Sequence, residues 1–363
     1  MELRNQNILF IVRTMGLGGT ENVVLQLCEI LSGKANKIVV CSSGGVHEKE
    51  LREMGIKHYV IPDIASKNPM DMLKSYVAIR SIIRKEQITL VHSHHRMAAL
   101  YAGLCAPKGV AKLANAHNTF ADKKKLTCFA YRDTKIVAVG ERVRENLTEY
   151  FGIPKGRVSV IHNAVKPFDD QVAPIELLDN ERAKGNVLIG NVGRLTEQKG
   201  MRYFIEAAEI TAKSHPEARF IIVGDGEEKE QLQQRVAERR LQDRVFFLGY
   251  RNDIQNVMSQ LDFVVLSSLW EGLPLTPIEA YSVGKTVVAT AVDGTPEIVQ
   301  DNIDGFLVEP RNPVQLAERM IALIEHPDIR KRMETQAIKR YQDEFSFEKM
   351  AQQYIRYYEE LDK

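Results

Sequence analysis

Apolar residues fall along this chain in short runs separated by amphipathic stretches, and the alternation persists through both halves. In the first half the runs are residues 7–12 (NILFIV), 37–41 (KIVVC), 58–61 (HYVI), 88–91 (ITLV), 111–115 (AKLAN) and 135–139 (KIVAV). In the second half they are 186–193 (NVLIGNVG), 219–224 (RFIIVG), 244–249 (RVFFLG), 262–268 (DFVVLSS) and 286–290 (TVVAT). Short runs this rich in Val and Ile predict strands buried on both faces. Between them lie helical patterns: Glu21 to Leu31, with Val23, Val24, Leu27, Ile30 and Leu31 on one face, and residues 201–213 and 228–240. Strand and helix in alternation imply a parallel sheet covered by helices on both sides. Residues 166–185, with Pro167, Asp169, Asp170, Pro174 and Gly185, show neither period and read as a linker. The predicted organisation is therefore an N-terminal α/β domain over 1–165, a linker over 166–185 and a second α/β domain over 186–345. A final helix over 346–363 carries Phe347, Met350, Tyr354, Tyr358 and Leu361 on one stripe, suited to packing back across the domains.

A length of 363 residues agrees with two domains, and 44% hydrophobic with 27% charged residues is the composition of a soluble globular protein. No run reaches the roughly 18 apolar residues of a membrane span. Met1 to Asn7 is polar and shows no leader pattern, so a cytoplasmic location is expected. Cys28, Cys41, Cys105 and Cys128 are scattered, which excludes a C-x-x-C metal or redox pair and points to reduced thiols. Charge alters the picture more. Residues 1–185 carry 27 Lys and Arg against 19 Asp and Glu, while residues 186–363 carry 22 against 29. A basic first half suits an anionic acceptor or the acidic inner face of a membrane, and uneven solvation charge explains it equally well. The Lys123-Lys124-Lys125 run, with Lys108, Lys112 and Arg132, is open to the same two readings.

Candidate chemistry clusters where strands end. Leu269 to Glu279 (LWEGLPLTPIE) follows the strand ending at Ser267-Ser268. Thr276 is a natural N-cap and Pro277 a natural first helical residue, so Glu279 is expected in the first turn of a helix from Pro277 to Val283. Glu271 and Glu279 would repel phosphate, but both can accept hydrogen bonds from sugar hydroxyls. Gly193-Arg194-Leu195-Thr196-Glu197-Gln198-Lys199-Gly200 places Arg194 after a strand and Lys199 at a helix start, two cations suited to a leaving diphosphate. No Asp-x-Asp occurs, so no metal is expected and the cations take that role. Gly16-Leu17-Gly18-Gly19-Thr20-Glu21 follows the first strand and resembles a dinucleotide loop, yet Glu21 stands where a third glycine belongs. His92, His94 and His95 form H-x-H-H at a strand end, without the partners a zinc site needs.

The string from Ser267 through Gly284 to Asp293-Gly294-Thr295-Pro296-Glu297 resembles the retaining GT-B glycosyltransferases, in particular glycosyltransferase family 4, whose signature is E-x7-E. The resemblance implies GT-B architecture, two Rossmann-like doubly wound domains facing across a cleft. It gives Glu279 the donor ribose, Glu271 the transferred sugar, and Gly272 and Leu273 backbone contacts to sugar and phosphate. Arg194 and Lys199 look like the family's phosphate-binding R-x4-K, beginning at Gly193. Gly18 and Gly19 would face the donor phosphates and Gly16 the acceptor. His117, in Asn115-Ala116-His117-Asn118, is similar to the family histidine at the 6-hydroxyl of the transferred sugar, with His94 on the acceptor side. Gly224 and Asp225 match a donor loop of the family, and Tyr250 and Arg251 fall where its members hold the base.

The implied activity is retaining, metal-independent transfer from a nucleotide sugar, with UDP the expected base, to a glycan or lipid-linked acceptor in envelope polysaccharide or glycolipid synthesis. No bound cofactor and no nucleic-acid partner are expected, and association with the inner membrane face would follow from the basic half. A non-hydrolysing sugar-nucleotide epimerase shares the architecture, and a sugar-binding module without catalysis is the further alternative. A nicotinamide dehydrogenase is disfavoured by the glycine spacing and by the missing acid after residues 37–41.

Overall fold

The computed structural model describes residues 2–168 and 171–361. The chain up to Asn163, joined by the segment from Met350 onward, forms one compact unit, and Ala164–Lys349 forms a second. Each holds one all-parallel sheet.

The first sheet comprises β1 (Asn7–Ile11), β2 (Lys37–Ser42), β3 (Lys57–Val60), β4 (Leu90–Ser93), β5 (Ala111–Ala116), β6 (Lys135–Ala138) and β7 (Val158–Val160), in the order β3-β2-β1-β4-β5-β6-β7. The second comprises β8 (Val187–Val192), β9 (Ala218–Val223), β10 (Val245–Gly249), β11 (Phe263–Leu266), β12 (Val287–Thr290) and β13 (Gly305–Val308), in the order β10-β9-β8-β11-β12-β13. Both orders reverse direction beside the first strand of their unit, between β1 and β4 and between β8 and β11. Such a reversal opens a crevice outside the carboxyl ends of the strands, where doubly wound folds bind ligands.

Burial on both faces explains the continuous apolar strands. Leu9, Ile11, Val39 and Val91 pack against Ile79, Ile82 and Ile83 of the helix Pro69–Lys85. Ile189, Phe220, Ile222 and Val265 pack against Met201, Phe204 and Ile205 of the helix Met201–Ser214. Each such side chain contributes about 1.5–3 kcal/mol when fully buried.

Three sequence expectations are corrected. The stretch 166–185 contains the helix Glu176–Ala183, anchored by buried Leu178 and by Glu181, which accepts hydrogen bonds from Lys184, Asn186 and Arg219. It belongs to the second unit, and Asp169 and Asp170 lie outside the described residues. The strands β7 and β13 add one edge strand to each sheet beyond the apolar runs. The helix after β11 spans Leu275–Ser282 with Pro274 before it, so Thr276 does not cap it and Glu279 sits in its second turn. Pro277, its third residue, is tolerated because first-turn N–H groups have no carbonyl partner within the helix.

The last helix, Phe347–Glu360, buries Met350, Tyr354 and Tyr358. No helix among the described residues is long and apolar enough to cross a membrane.

Candidate active site

In the second unit the site grows from the ends of β8, β9 and β11. Ser267 ties two of these together: its hydroxyl accepts from Asn191 Nδ2 at 2.9 Å and donates to the Lys199 carbonyl at 2.9 Å. Gly200 adopts φ +56°, and a side chain there would strike the Ser267 carbonyl. These contacts fix the backbone of Lys199, whose stem runs against Gly193. At the end of β9, Gly224 adopts φ +140° and packs on the Gly193 carbonyl so closely that no Cβ fits. Leu195 N donates to the Asp225 carbonyl at 2.9 Å, so the 224–226 turn props the loop that carries Arg194.

Lys199 and Glu271, expected to serve different parts of the donor, form an ion pair: Nζ lies 2.6 Å from Oε1, and both side chains are largely buried. The same carboxylate oxygen accepts from Ser268 Oγ at 2.6 Å. Glu271 N donates to Asp293 Oδ2 at 2.7 Å, and Gly294 N donates to the Gly272 carbonyl at 3.0 Å. The Asp293-Gly294 turn thereby shapes the loop holding Gly272 and Leu273. Arg194, five residues before Lys199 on the same loop, is exposed. Glu279 is half-buried with no hydrogen-bond partner for its carboxyl among the described residues, and desolvation pushes its pKa up to about 7 against the pull of Lys199.

Tyr250 and Arg251 follow β10. Tyr250 is exposed, while Arg251 makes a two-pronged contact with Asp253 at 2.8 and 2.6 Å. Asp225 pairs with Lys229 at 2.8 Å, which with a bond from its neighbour's N–H holds its carboxyl below the usual range. To the charged residues the structure adds Asn191, Ser267, Ser268, Asp293 and Thr290, whose hydroxyl donates to the Ser268 carbonyl at 2.6 Å. The available signal was a set of small polar residues ending otherwise apolar strands.

In the first unit a cavity of about 150 Å³ lies beyond the ends of β1, β4 and β5. It brings together His94 and His117, with Nδ1 of the first 3.2 Å from Nε2 of the second. Burial lowers both imidazoles, His117 to about 4, so both are neutral near pH 7. Glu21, Arg96, Asn118 and Phe120 also line it. Arg96 is buried, donates to Asp122 at 3.0 Å and stacks 4.8 Å from the Phe120 ring centroid. Glu21, read in the sequence only as a misplaced glycine, accepts from Thr14 Oγ1 at 2.6 Å. Gly19 opens the helix Gly19–Leu31, while Gly16 and Gly18 are not among the cavity's lining residues. The glycine loop is held by a second turn: Gly45, at φ +151°, packs directly on the Met15 backbone. His92 lies in the core, and no group of three His, Cys, Asp or Glu that could hold a metal ion occurs among the described residues.

Paired doubly wound units with an ion-paired lysine, carboxylates and histidines at their strand ends have the GT-B architecture of glycosyltransferases. The chain belongs to glycosyltransferase family 4: residues 17–167 match the family described as Glycosyltransferase Family 4, and residues 176–340 match Glycosyl transferases group 1. It is 27% identical over 315 residues to the UDP-Gal:alpha-D-GlcNAc-diphosphoundecaprenol alpha-1,3-galactosyltransferase of Escherichia coli, covering 81% of each chain. Its fold matches a glycosyltransferase from Rickettsia africae (TM-score 0.86, 24% identity, 99% of each chain). It also matches HepE of Anabaena solved with UDP-glucose (TM-score 0.84, 21% identity, 96% of this chain and 98% of that one). The protein is a glycosyltransferase.

Proposed function

We propose that this enzyme transfers a sugar from a UDP-sugar to a glycan or lipid-linked acceptor, with retention and without a metal, in cell-surface polysaccharide or glycolipid synthesis. The observation that carries the reading is the Lys199–Glu271 pair at the β8/β11 reversal, on the loop that also carries Arg194. It sets cationic groups for phosphate next to a carboxylate for sugar hydroxyls. The named donor of the Escherichia coli relative and the UDP-glucose bound to HepE favour UDP. The relative's diphosphoundecaprenol substrate favours a lipid-linked acceptor.

In this reading the bond between the anomeric carbon and the diphosphate oxygen breaks as the acceptor oxygen bonds the same face of that carbon. The acceptor proton passes to the departing diphosphate, whose charge Arg194 and Lys199 stabilise. Glu271 and His117 orient the transferred sugar, and Glu279 holds the ribose. The first-unit cavity, lined by neutral imidazoles, Glu21 and Asn118, is suited to sugar hydroxyls. Family membership favours transfer over epimerisation, and product analysis separates the two. Screening UDP-, GDP- and ADP-sugars for binding and slow donor hydrolysis tests the donor assignment; preference for a base other than uracil contradicts it.

Peripheral membrane association at the cytoplasmic face accompanies the lipid-linked acceptor. The outward side of the helix Pro69–Lys85 exposes Met70, Leu73 and Val77 beside exposed Lys74, Arg80 and Arg84. An apolar stripe edged by cations suits an anionic lipid surface.

A further inference from the structure

Two polar side chains sit inside the first sheet where packing alone favours Val, Ile or Leu. His92 in β4 and Asn115 in β5 are both fully buried. Both are satisfied by the last helix. The Tyr358 hydroxyl lies 2.6 Å from His92 Nδ1, His92 Nε2 lies 2.9 Å from Asn115 Oδ1, and Asn115 Nδ2 donates to the Tyr354 hydroxyl at 2.6 Å. In this amide orientation Asn115 Oδ1 only accepts, so the imidazole proton is on Nε2 and Tyr358 donates to Nδ1. Burial holds His92 down at about 3 and raises both phenols, so the chain of four groups is uncharged near neutral pH. Tyr354 and Tyr358, four residues apart, share one face of their helix.

This chain of hydrogen bonds begins and ends on the last helix and borders the cavity at its middle. Asn115 itself lines it, and the His92 ring centroid lies 4.5 Å from that of His94, which in turn meets His117. Docking a helix does not require such polar groups, because replacing both partners of a buried hydrogen bond by apolar groups of similar shape is nearly neutral. A directional network instead adds a fixed orientation for the His92 ring and so for the rings packed on it.

We infer that Tyr354 and Tyr358 are positioning residues for catalysis, with the last helix orienting His94 and His117 through His92 and Asn115. The inference rests on the reading of the cavity as a seat for substrate sugar.

Tyr358→Phe leaves His92 Nδ1 buried without its donor. The expected result is a fall in kcat/KM of about tenfold to a hundredfold with helix content retained. The quadruple variant His92→Leu/Asn115→Leu/Tyr354→Phe/Tyr358→Phe makes every member of the network apolar, so its melting temperature should return toward wild type while activity stays low. Tyr354→Phe should behave like Tyr358→Phe, and 15N NMR of the His94 and His117 imidazoles should shift in both single variants. Activity that follows melting temperature across the three variants, with unchanged imidazole signals, overturns the inference. His117→Ala tests the underlying reading separately: unchanged turnover in that variant removes the cavity from the reaction. Loss of activity in His117→Ala alongside wild-type turnover in the tyrosine variants refutes the positioning role alone.

Discussion

Lys199 Nζ lies 2.6 Å from Glu271 Oε1, so the cation assigned to the donor phosphates and the carboxylate assigned to the sugar hold each other in place. A pair this buried is sensitive to loss of one member, because the survivor is left charged in a poorly solvated site.

Removing the cation should therefore show in both chemistry and stability. Lys199→Ala is expected to lower kcat by roughly a hundredfold or more through lost charge stabilisation. It should also cost about 3–5 kcal/mol of stability. Steady-state kinetics below the melting transition, with a thermal melt of the same sample, separate the two effects. Wild-type kcat in folded Lys199→Ala would remove Lys199 from the reaction.

Glu279 gives the donor site a pH dependence. Its carboxyl titrates at about 7 instead of the ordinary 4.5, so folding takes up a proton between those values. The stability it contributes is present at low pH and is lost as pH rises through about 7. A ribose hydroxyl donating to the carboxylate favours the ionised form, so UDP-sugar affinity should rise about tenfold from pH 6 to pH 8, with proton release on binding. Calorimetry in buffers of different ionisation enthalpy measures both, and Glu279→Gln should flatten the dependence. Affinity that falls over that range contradicts the ribose assignment.

Gly294 is required by close approach, since a Cβ there would strike the Gly272 carbonyl. Gly294→Ala should displace the 271–273 loop at a cost of about 1–3 kcal/mol. Donor KM should rise more than acceptor KM. Equal changes in the two would place the loop outside the donor site.

The outward face of the helix Pro69–Lys85 should bind vesicles containing phosphatidylglycerol in preference to pure phosphatidylcholine, and lose that binding with added salt. Leu73→Ser/Val77→Ser should abolish co-sedimentation while sparing transfer to a soluble acceptor. Unchanged co-sedimentation contradicts membrane docking by this face.

Much of the fold was legible because parallel strands covered on both faces, such as Val187–Val192 and Phe263–Leu266, leave continuous apolar runs. The edge strand β7, three residues with Ser159 at its centre, leaves almost no run to read. The helix Glu176–Ala183 is mostly polar and held by few buried residues, so its period was hidden. At the site, Arg194, Lys199, Glu271 and Glu279 stood out as charges at strand ends. The network that orients Lys199 and Glu271 did not, because Asn191, Ser267, Ser268 and Asp293 acquire their roles only when β8, β11 and β12 meet. The role of Glu21 is not legible from spacing, since its contact with Thr14 depends on how the glycine loop turns back.

The most direct test is NMR of the sugar product formed from a UDP-sugar and acceptor in the presence of EDTA, read for anomeric configuration. The account expects transfer at an undiminished rate with the donor's anomeric configuration retained. An inverted product, or no product until a divalent metal is restored, would contradict it.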